Sequence, residues 1–285
     1  MPASMPAAVF VEALVEEGLV VVETDGWRMR NRNHVGPWGP VHGVMIHHTV
    51  TKGTANSIRI CRDGYAGLPG PLCHGVIAKD GRVHLVGYGR TNHAGSGDDD
   101  VLRAVIAEKK LPADDEANTD GNRHFYGFEC VNLGDGKDPW PAAQLEAVEM
   151  AAAAVSRVHR WGPLSTIGHL EWQPGKIDPR GFSMDSMRAR ISERLGDGPG
   201  KPTPPVRPPF PGRAAFGPGK SSPGVELLGR QLVKRGFGKH YRVGPSPQWG
   251  EADRLNVRDF QRAHAQLRSD ADGYPGPLTW HLLFS

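Results

Sequence analysis

The sequence predicts an α/β protein, a central mixed β-sheet flanked by helices, followed by a small domain of three helices. Three observations carry this. Through the first two thirds of the chain, segments rich in β-branched and apolar residues alternate with helix-periodic ones; a proline-rich run then interrupts the pattern at Gly196–Gly212; only helical periodicity follows it. At 285 residues there is room for two domains that each bury a core. The predicted organisation is a first domain over 1–195, a linker over 196–212 and a second domain over 213–285.

Val44–Val50 reads as a buried strand. Gly75–Lys79 and Arg82–Val86 flank Asp80-Gly81, a two-residue type I′ turn signal, and so predict a hairpin. Tyr126–Asn132 reads as a further strand. From Pro141 to His159, Leu145, Val148, Ala152 and Val155 recur at the spacing of one helical face, and Pro141 suits a first turn. The last helix of the first domain is expected from Met184 to Leu195, with Ser183 as its N-cap.

The linker carries Pro199, Pro202, Pro204, Pro205, Pro208, Pro209 and Pro211, which exclude helix and central strand and predict an extended polyproline spacer. Beyond it, Val225–Arg235 and Ala252–Gln266 are helix-periodic through Leu228, Leu232, Leu255 and Phe260. A short third helix follows Pro277, with Asp272-Gly273 and Pro275-Gly276-Pro277 as turns.

Composition excludes some functions. No apolar run approaches the roughly 20 residues of a membrane span. A net charge of +3, from 34 basic and 31 acidic residues, is too small to single out nucleic acid. It suits either an anionic cell wall or an ordinary solvated surface of mixed charge. The first basic residue is Arg28, and Glu12 interrupts the apolar stretch Ala7–Val15, so no secretory signal is expected and the protein should stay in the cytoplasm after synthesis. Cys61, Cys73 and Cys130 form no C-x-x-C pair. They are either buried thiols or include a Cys61–Cys73 disulfide closing the loop between them.

Three candidate metal ligands stand out: His47 on the first predicted strand, and His169 and Asp178 in the segment Gly168–Pro179. A catalytic zinc takes three ligands of the His/carboxylate type and keeps a fourth position for water. Among thirteen histidines, spacing alone leaves metal ligation and structural hydrogen bonding both open. The Pro174-Gly175 turn strengthens the first reading, because it can fold His169 and Asp178 back toward one point.

Ile46-His47-His48-Thr49, then Gly127-Phe128-Glu129, then His169-Leu-Glu-Trp-Gln-Pro-Gly-Lys-Ile-Asp178-Pro179 together resemble the amidase-2 family of N-acetylmuramoyl-L-alanine amidases, from about Val41 to Arg190. Peptidoglycan recognition proteins share that family's fold. The resemblance implies Zn2+ held by His47, His169 and Asp178, with Glu129 and Lys176 beside the open position, and hydrolysis of the amide between N-acetylmuramic acid and L-alanine. In such chemistry zinc lowers the pKa of its water to about 7 and polarises the scissile carbonyl. Glu129 takes the water's proton if its side chain faces the metal. Lys176 stabilises the charge growing on the carbonyl oxygen, an effect typically worth about 3 kcal/mol.

Without the resemblance, Glu129 reads as a surface strand residue and Lys176 as a solvated loop lysine. His48 must point to the opposite face of its strand, into packing or a second layer of hydrogen bonds. Thr91-Asn92-His93-Ala94-Gly95 resembles the family's His-Ala-Gly motif that lines the substrate groove, which implies substrate contact for His93. Trp172, beside the metal loop, either contacts sugar or stem peptide or packs. The stretch Gly64–Pro71 and residues 1–40 carry little family signal, and the latter either cover the sheet or shape one wall of the groove.

Leu228, Gln231-Leu232, Phe260–Ala263 and Asp272–Trp280 resemble small three-helix peptidoglycan-binding domains. Such a domain binds without chemistry and raises the amidase's effective concentration at the wall; the alternative is a helical cap docked on the amidase. With the missing signal peptide, the architecture resembles a bacteriophage endolysin that lyses its host. That implies a protein held in the host cytoplasm, which reaches bacterial peptidoglycan when a separate protein opens the membrane; with no coiled-coil pattern or large apolar stripe, a monomer is expected. Competing readings are a bacterial autolysin, a wall-recycling amidase and a noncatalytic peptidoglycan sensor.

Overall fold

Strand β2, Gly43–His48, is buried along its whole length because its sheet is covered on both faces. In the computed structural model that sheet also contains β1 (Val21–Glu23), β5 (Gly75–Ile77), β6 (Val83–Leu85), β9 (Phe125–Cys130) and β10 (Thr166–Gly168). The order is β1-β6-β5-β9-β2-β10. Every neighbouring pair is parallel except β5 with β6, which makes the sheet mixed, as expected. The structure describes residues 4–197, 208 and 210–284. They fall into two compact units, Met1–Pro202 and Thr203–Ser285.

Alternation along the strands decides what each face receives. Val44 and Ile46 of β2 and Tyr126, Phe128 and Cys130 of β9 enter the main core, which helices α1 (Ala7–Glu16), α4 (Ala142–His159) and α5 (Met184–Asp197) complete. The alanines Ala147, Ala151 and Ala154 let α4 lie close to its neighbours. On the opposite face, Met45, Phe125 and Ile167 pack with Trp172 and with Val101, Leu102 and Val105 of α3 (Asp99–Ile106). Cys61 of α2 (Thr54–Asp63) joins Cys73, Val76 and Val86 in a smaller cluster there; all three cysteines are free and buried.

The N-terminal segment covers the sheet. Phe10 is fully buried and stacks with Tyr126, and the Met5 N–H donates to the Tyr126 hydroxyl at 3.0 Å. Behind it, buried Glu17 accepts from Arg157 at 2.9 Å and buried Glu149 accepts from Arg194 at 3.2 Å, so charges are paired where α1, α4 and α5 meet.

The hairpin β5–β6 forms, with a different turn from the one predicted. The Ala78 N–H donates to the Arg82 carbonyl at 2.9 Å, and among residues 79–81 only Gly81 has positive φ, at 84°. This is a three-residue loop ending in a left-handed glycine, not a two-residue type I′ turn. Gly81 is also required by contact, since a Cβ there would lie 2.7 Å from the Ala143 carbonyl oxygen. Ser183 caps α5 as expected, its hydroxyl accepting the Ser186 N–H at 3.1 Å. Two short hairpins, β3–β4 (Gly64–Tyr65, Leu68–Pro69) and β7–β8 (Ser96–Gly97, Thr119–Asp120), shape the loops of the second face.

The second unit is helical: α6 (Pro223–Lys234), α7 (Glu251–Ala263) and α8 (Pro277–Leu283) enclose Val225, Leu228, Leu232, Val257, Phe260, Trp280 and Leu283. Gln261 ties this core to the Asp272-Gly273 turn, its Oε1 accepting the Gly273 N–H at 2.8 Å. The proline-rich linker falls mostly outside the described residues; Gly196 and Asp197 end α5, and Phe210 packs against the second core. Among the described residues no helix is long and apolar enough to cross a membrane.

Candidate metal centre

Where β2 ends, His47 leaves the sheet on the face opposite the main core, and the loop after β10 brings two more side chains to it. His169 opens a 3-10 turn directly after β10. The chain reverses at Gln173–Lys176, where the Lys176 N–H donates to the Gln173 carbonyl at 3.1 Å and Gly175 takes φ of 85°. Pro then Gly at the two central positions suits such a turn. The Leu170 N–H donates to the Asp178 carbonyl at 2.7 Å and closes the loop.

Three donor atoms thereby converge. His47 Nδ1 lies 3.1 Å from His169 Nδ1 and 2.9 Å from Asp178 Oδ2, and His169 Nδ1 lies 3.1 Å from that same oxygen. Burial pushes the His47 pKa down to about 4 against the pull of Asp178, so its imidazole is neutral at pH 7. Burial opposes ionisation of Asp178, but its contacts with His169 and His47 outweigh this and hold the carboxyl well below the usual range. Imidazole nitrogens, such as that of the neutral His47, together with an ionised carboxylate are what a metal ion requires. The three residues therefore fit one.

These atoms lie in a groove of about 630 Å³, also lined by Glu129, Lys176, Gln173 and, farther along, Arg59 and Tyr65. Glu129 Oε2 is buried and has no hydrogen-bond partner among the described residues. Burial pushes the Glu129 pKa up to about 8, with the Asp178 charge adding to the effect and Lys176 opposing it. Lys176 is exposed at the groove. His48 turns away as expected, its Nδ1 accepting the Arg180 N–H at 3.1 Å.

One sequence expectation is corrected. Trp172 cannot touch substrate: it is 0% exposed, packs edge-on against Phe125 and donates its Nε1–H to the Ala94 carbonyl at 2.9 Å. It fills a slot left by two glycines, since a Cβ at Gly97 or Gly121 would lie 2.2 or 2.6 Å from its ring. His93 borders the groove but is 7% exposed, and both ring nitrogens are taken, Nδ1 facing His47 Nε2 at 3.0 Å and Nε2 facing the Phe125 carbonyl at 3.2 Å. It contacts His47 from behind, and its remaining exposed edge borders the groove. Sequence reasoning missed Gln173, whose Oε1 lies 3.3 Å from His169 Nε2, and Asn122, whose Oδ1 accepts the His93 and Ala94 N–H groups. Neither carries a signal in spacing alone.

A mixed sheet packed on both faces carries, where β2 ends, a groove holding a two-histidine, one-carboxylate cluster able to bind a metal ion. Residues 37–181, slightly over half of the chain, match the family model described as N-acetylmuramoyl-L-alanine amidase, and the chain belongs to that family. It is a peptidoglycan amidase by that membership. No curated protein sequence matches the chain.

Among solved structures, the chain is similar to the endolysin amidase LysCS from Clostridium intestinale, at 15% identity over 60% of this chain and 94% of that one, with a TM-score of 0.38. It is similar to the Ph2119 endolysin of a Thermus scotoductus bacteriophage, at 16% identity over 60% and 98%, with a TM-score of 0.39. The amidase AmiD from E. coli, solved with an anhydro-N-acetylmuramic acid peptide, is similar at 15% identity over 92% and 95%, with a TM-score of 0.41.

Proposed function

We propose that this chain is a zinc-dependent amidase of the phage endolysin type, cutting the bond between N-acetylmuramic acid and L-alanine in the host wall and holding that wall through its second unit. The observation that carries the reading is the mutual approach of His47 Nδ1, His169 Nδ1 and Asp178 Oδ2 to 3.1 Å or less. Two imidazoles and a carboxylate, with a groove on the remaining side, suit a catalytic zinc. Zinc held there supplies Lewis acidity toward the scissile carbonyl and an acidified water near neutral pH.

The chain's own residues supply the proton transfers and the charge stabilisation. Glu129, with a buried unpartnered oxygen and a raised pKa, accepts a proton as water attacks and returns it to the departing L-alanine nitrogen. Water's hydroxyl ends on the muramoyl carbonyl carbon, and the stem peptide leaves as an amine. Lys176, at the groove, offers its ammonium to the carbonyl oxygen as negative charge grows. A noncatalytic sensor would need none of these groups, and their joint presence favours the enzyme.

For the second unit, the support is its resemblance to wall-binding modules and its helical core; tethering would raise the amidase's local concentration. In the endolysin role the monomer accumulates in the host cytoplasm and reaches the wall once a separate protein opens the membrane. The test is digestion of purified peptidoglycan by the wild type and by His169→Ala, with new ends identified by mass spectrometry. Free stem peptides beginning with L-alanine, absent with the variant, are the expected outcome. Bound wall with no such ends would instead establish a recognition protein.

A further inference from the structure

His47 and His169 both turn Nδ1 toward the cluster, so each ring has an Nε2 pointing outward, and each of these meets a specific partner. At His47 the partner is His93. The far nitrogen of His93, Nε2, faces the Phe125 carbonyl oxygen at 3.2 Å, and a carbonyl oxygen can only accept. The His93 proton therefore sits on Nε2, and its Nδ1 presents a lone pair. That lone pair, 3.0 Å from His47 Nε2, accepts the His47 proton and leaves His47 Nδ1 unprotonated toward the cluster. At His169 the Gln173 Oε1, 3.3 Å from Nε2, does the same in one step.

We infer that His93 and Gln173 are positioning residues that fix the tautomers of the two ligand histidines and thereby set the affinity of the site for its metal. The inference rests on the zinc reading of the site. The surroundings of His93 are built for the purpose. Asn122 Oδ1 accepts the backbone N–H of His93 at 2.7 Å and of Ala94 at 2.8 Å, which holds the loop in place. Gly127 of β9 clears the space for the ring, since a Cβ there would lie 2.5 Å from His93 Nδ1. At 7% exposure the ring leaves little access for a water that could replace it. Partners of this kind typically contribute about 10- to 100-fold to metal affinity.

The test is the Zn2+ dissociation constant of the full chain, measured by competition with a chromophoric chelator. His93→Phe keeps the ring volume and removes both nitrogens; His93→Gln keeps an acceptor and a donor. Gln173→Leu and Gln173→Glu make the matching pair at His169. Binding weaker by about 10- to 100-fold in His93→Phe, weaker also in Gln173→Leu, and restored in His93→Gln and Gln173→Glu is the expected pattern. Circular dichroism and the melting temperature without metal check that each variant folds.

Wild-type affinity in folded His93→Phe and Gln173→Leu would overturn the inference and leave the zinc reading standing. Should His93→Phe not fold, the Gln173 pair, at the groove surface, decides alone. A wild-type protein that binds no Zn2+ would sink the zinc reading itself, a distinct result.

Discussion

His47 and Glu129 are register partners across the parallel pair β2 and β9, so their side chains leave the sheet on the same face. This places a carboxylate beside a metal donor without making it one, because Glu129 stands apart from the three converging atoms. Replacing Glu129 with Gln should therefore lower amide cleavage by about 10²- to 10⁴-fold while the protein still takes up one zinc. Stem-peptide release from purified wall and metal content by atomic absorption measure the two halves. Cleavage at the wild-type rate would remove Glu129 from the reaction.

Lys176 bears on Glu129 through its charge. Its ammonium opposes the rise in the Glu129 pKa, so Lys176→Ala should do two things at once. Turnover should fall by about 10²- to 10³-fold through loss of charge stabilisation. The rising limb of the pH–activity profile should also move to higher pH, because removing a cation raises the proton affinity of a nearby carboxylate. An unshifted limb with reduced turnover would keep Lys176 at the substrate but separate it from Glu129.

The site was legible in the sequence where it is local and opaque where it depends on burial. His169, Lys176 and Asp178 sit within ten residues of one another, and the Pro174-Gly175 turn announces their convergence. His93 reads as a groove residue because it stands in a motif, and Trp172, beside the metal loop, reads as either groove or packing. What buries them is supplied from elsewhere in the chain, Phe125 and Gly127 for His93 and Gly97 and Gly121 for Trp172. The strands β2 and β9 and the helix α4 announce themselves by length and pattern. By contrast β10 has three residues, too few for alternation to register, and α2 buries only Ser57 and Cys61. At Asp80-Gly81, a glycine with positive φ serves either turn type, so the dipeptide fixes the hairpin and not its loop length.

Trp172→Ala tests the packing role directly. Removing a fully buried indole should destabilise the first unit by about 3–5 kcal/mol, read from urea unfolding. Trp172→Phe, which loses the hydrogen bond to the Ala94 carbonyl and leaves that carbonyl to find another partner, should cost about 1–3 kcal/mol. Unchanged stability with weakened substrate binding would restore Trp172 to the groove wall.

Stability should fall as pH drops from 6.5 toward 4. His74 shows why. It is buried, its Nε2 donates to the Gly89 carbonyl and its Nδ1 accepts the Gly127 N–H, so it has no place for a second proton, and its pKa is pushed down to about 4. Burial holds His42, His47 and His159 near the same value. In the unfolded chain these groups protonate near 6.5, so between the two values the unfolded state binds more protons. Lowering pH then favours it, by up to about 1.4 kcal/mol per pH unit for each of the fully buried His47 and His74 and by less for the half-buried His42 and His159, where solvent screens the charge.

Glu129 works in the opposite sense. Its pKa is raised from 4.5 to about 8, so through that range the folded state binds the extra proton and acid favours folding. Four histidines outweigh one glutamate, and the metal-free melting temperature in EDTA should decline from pH 6.5 to pH 4.5. Glu129→Gln removes the opposing contribution and should steepen the decline. A melting temperature flat over that interval in both proteins would mean that these histidines are not the source of acid sensitivity.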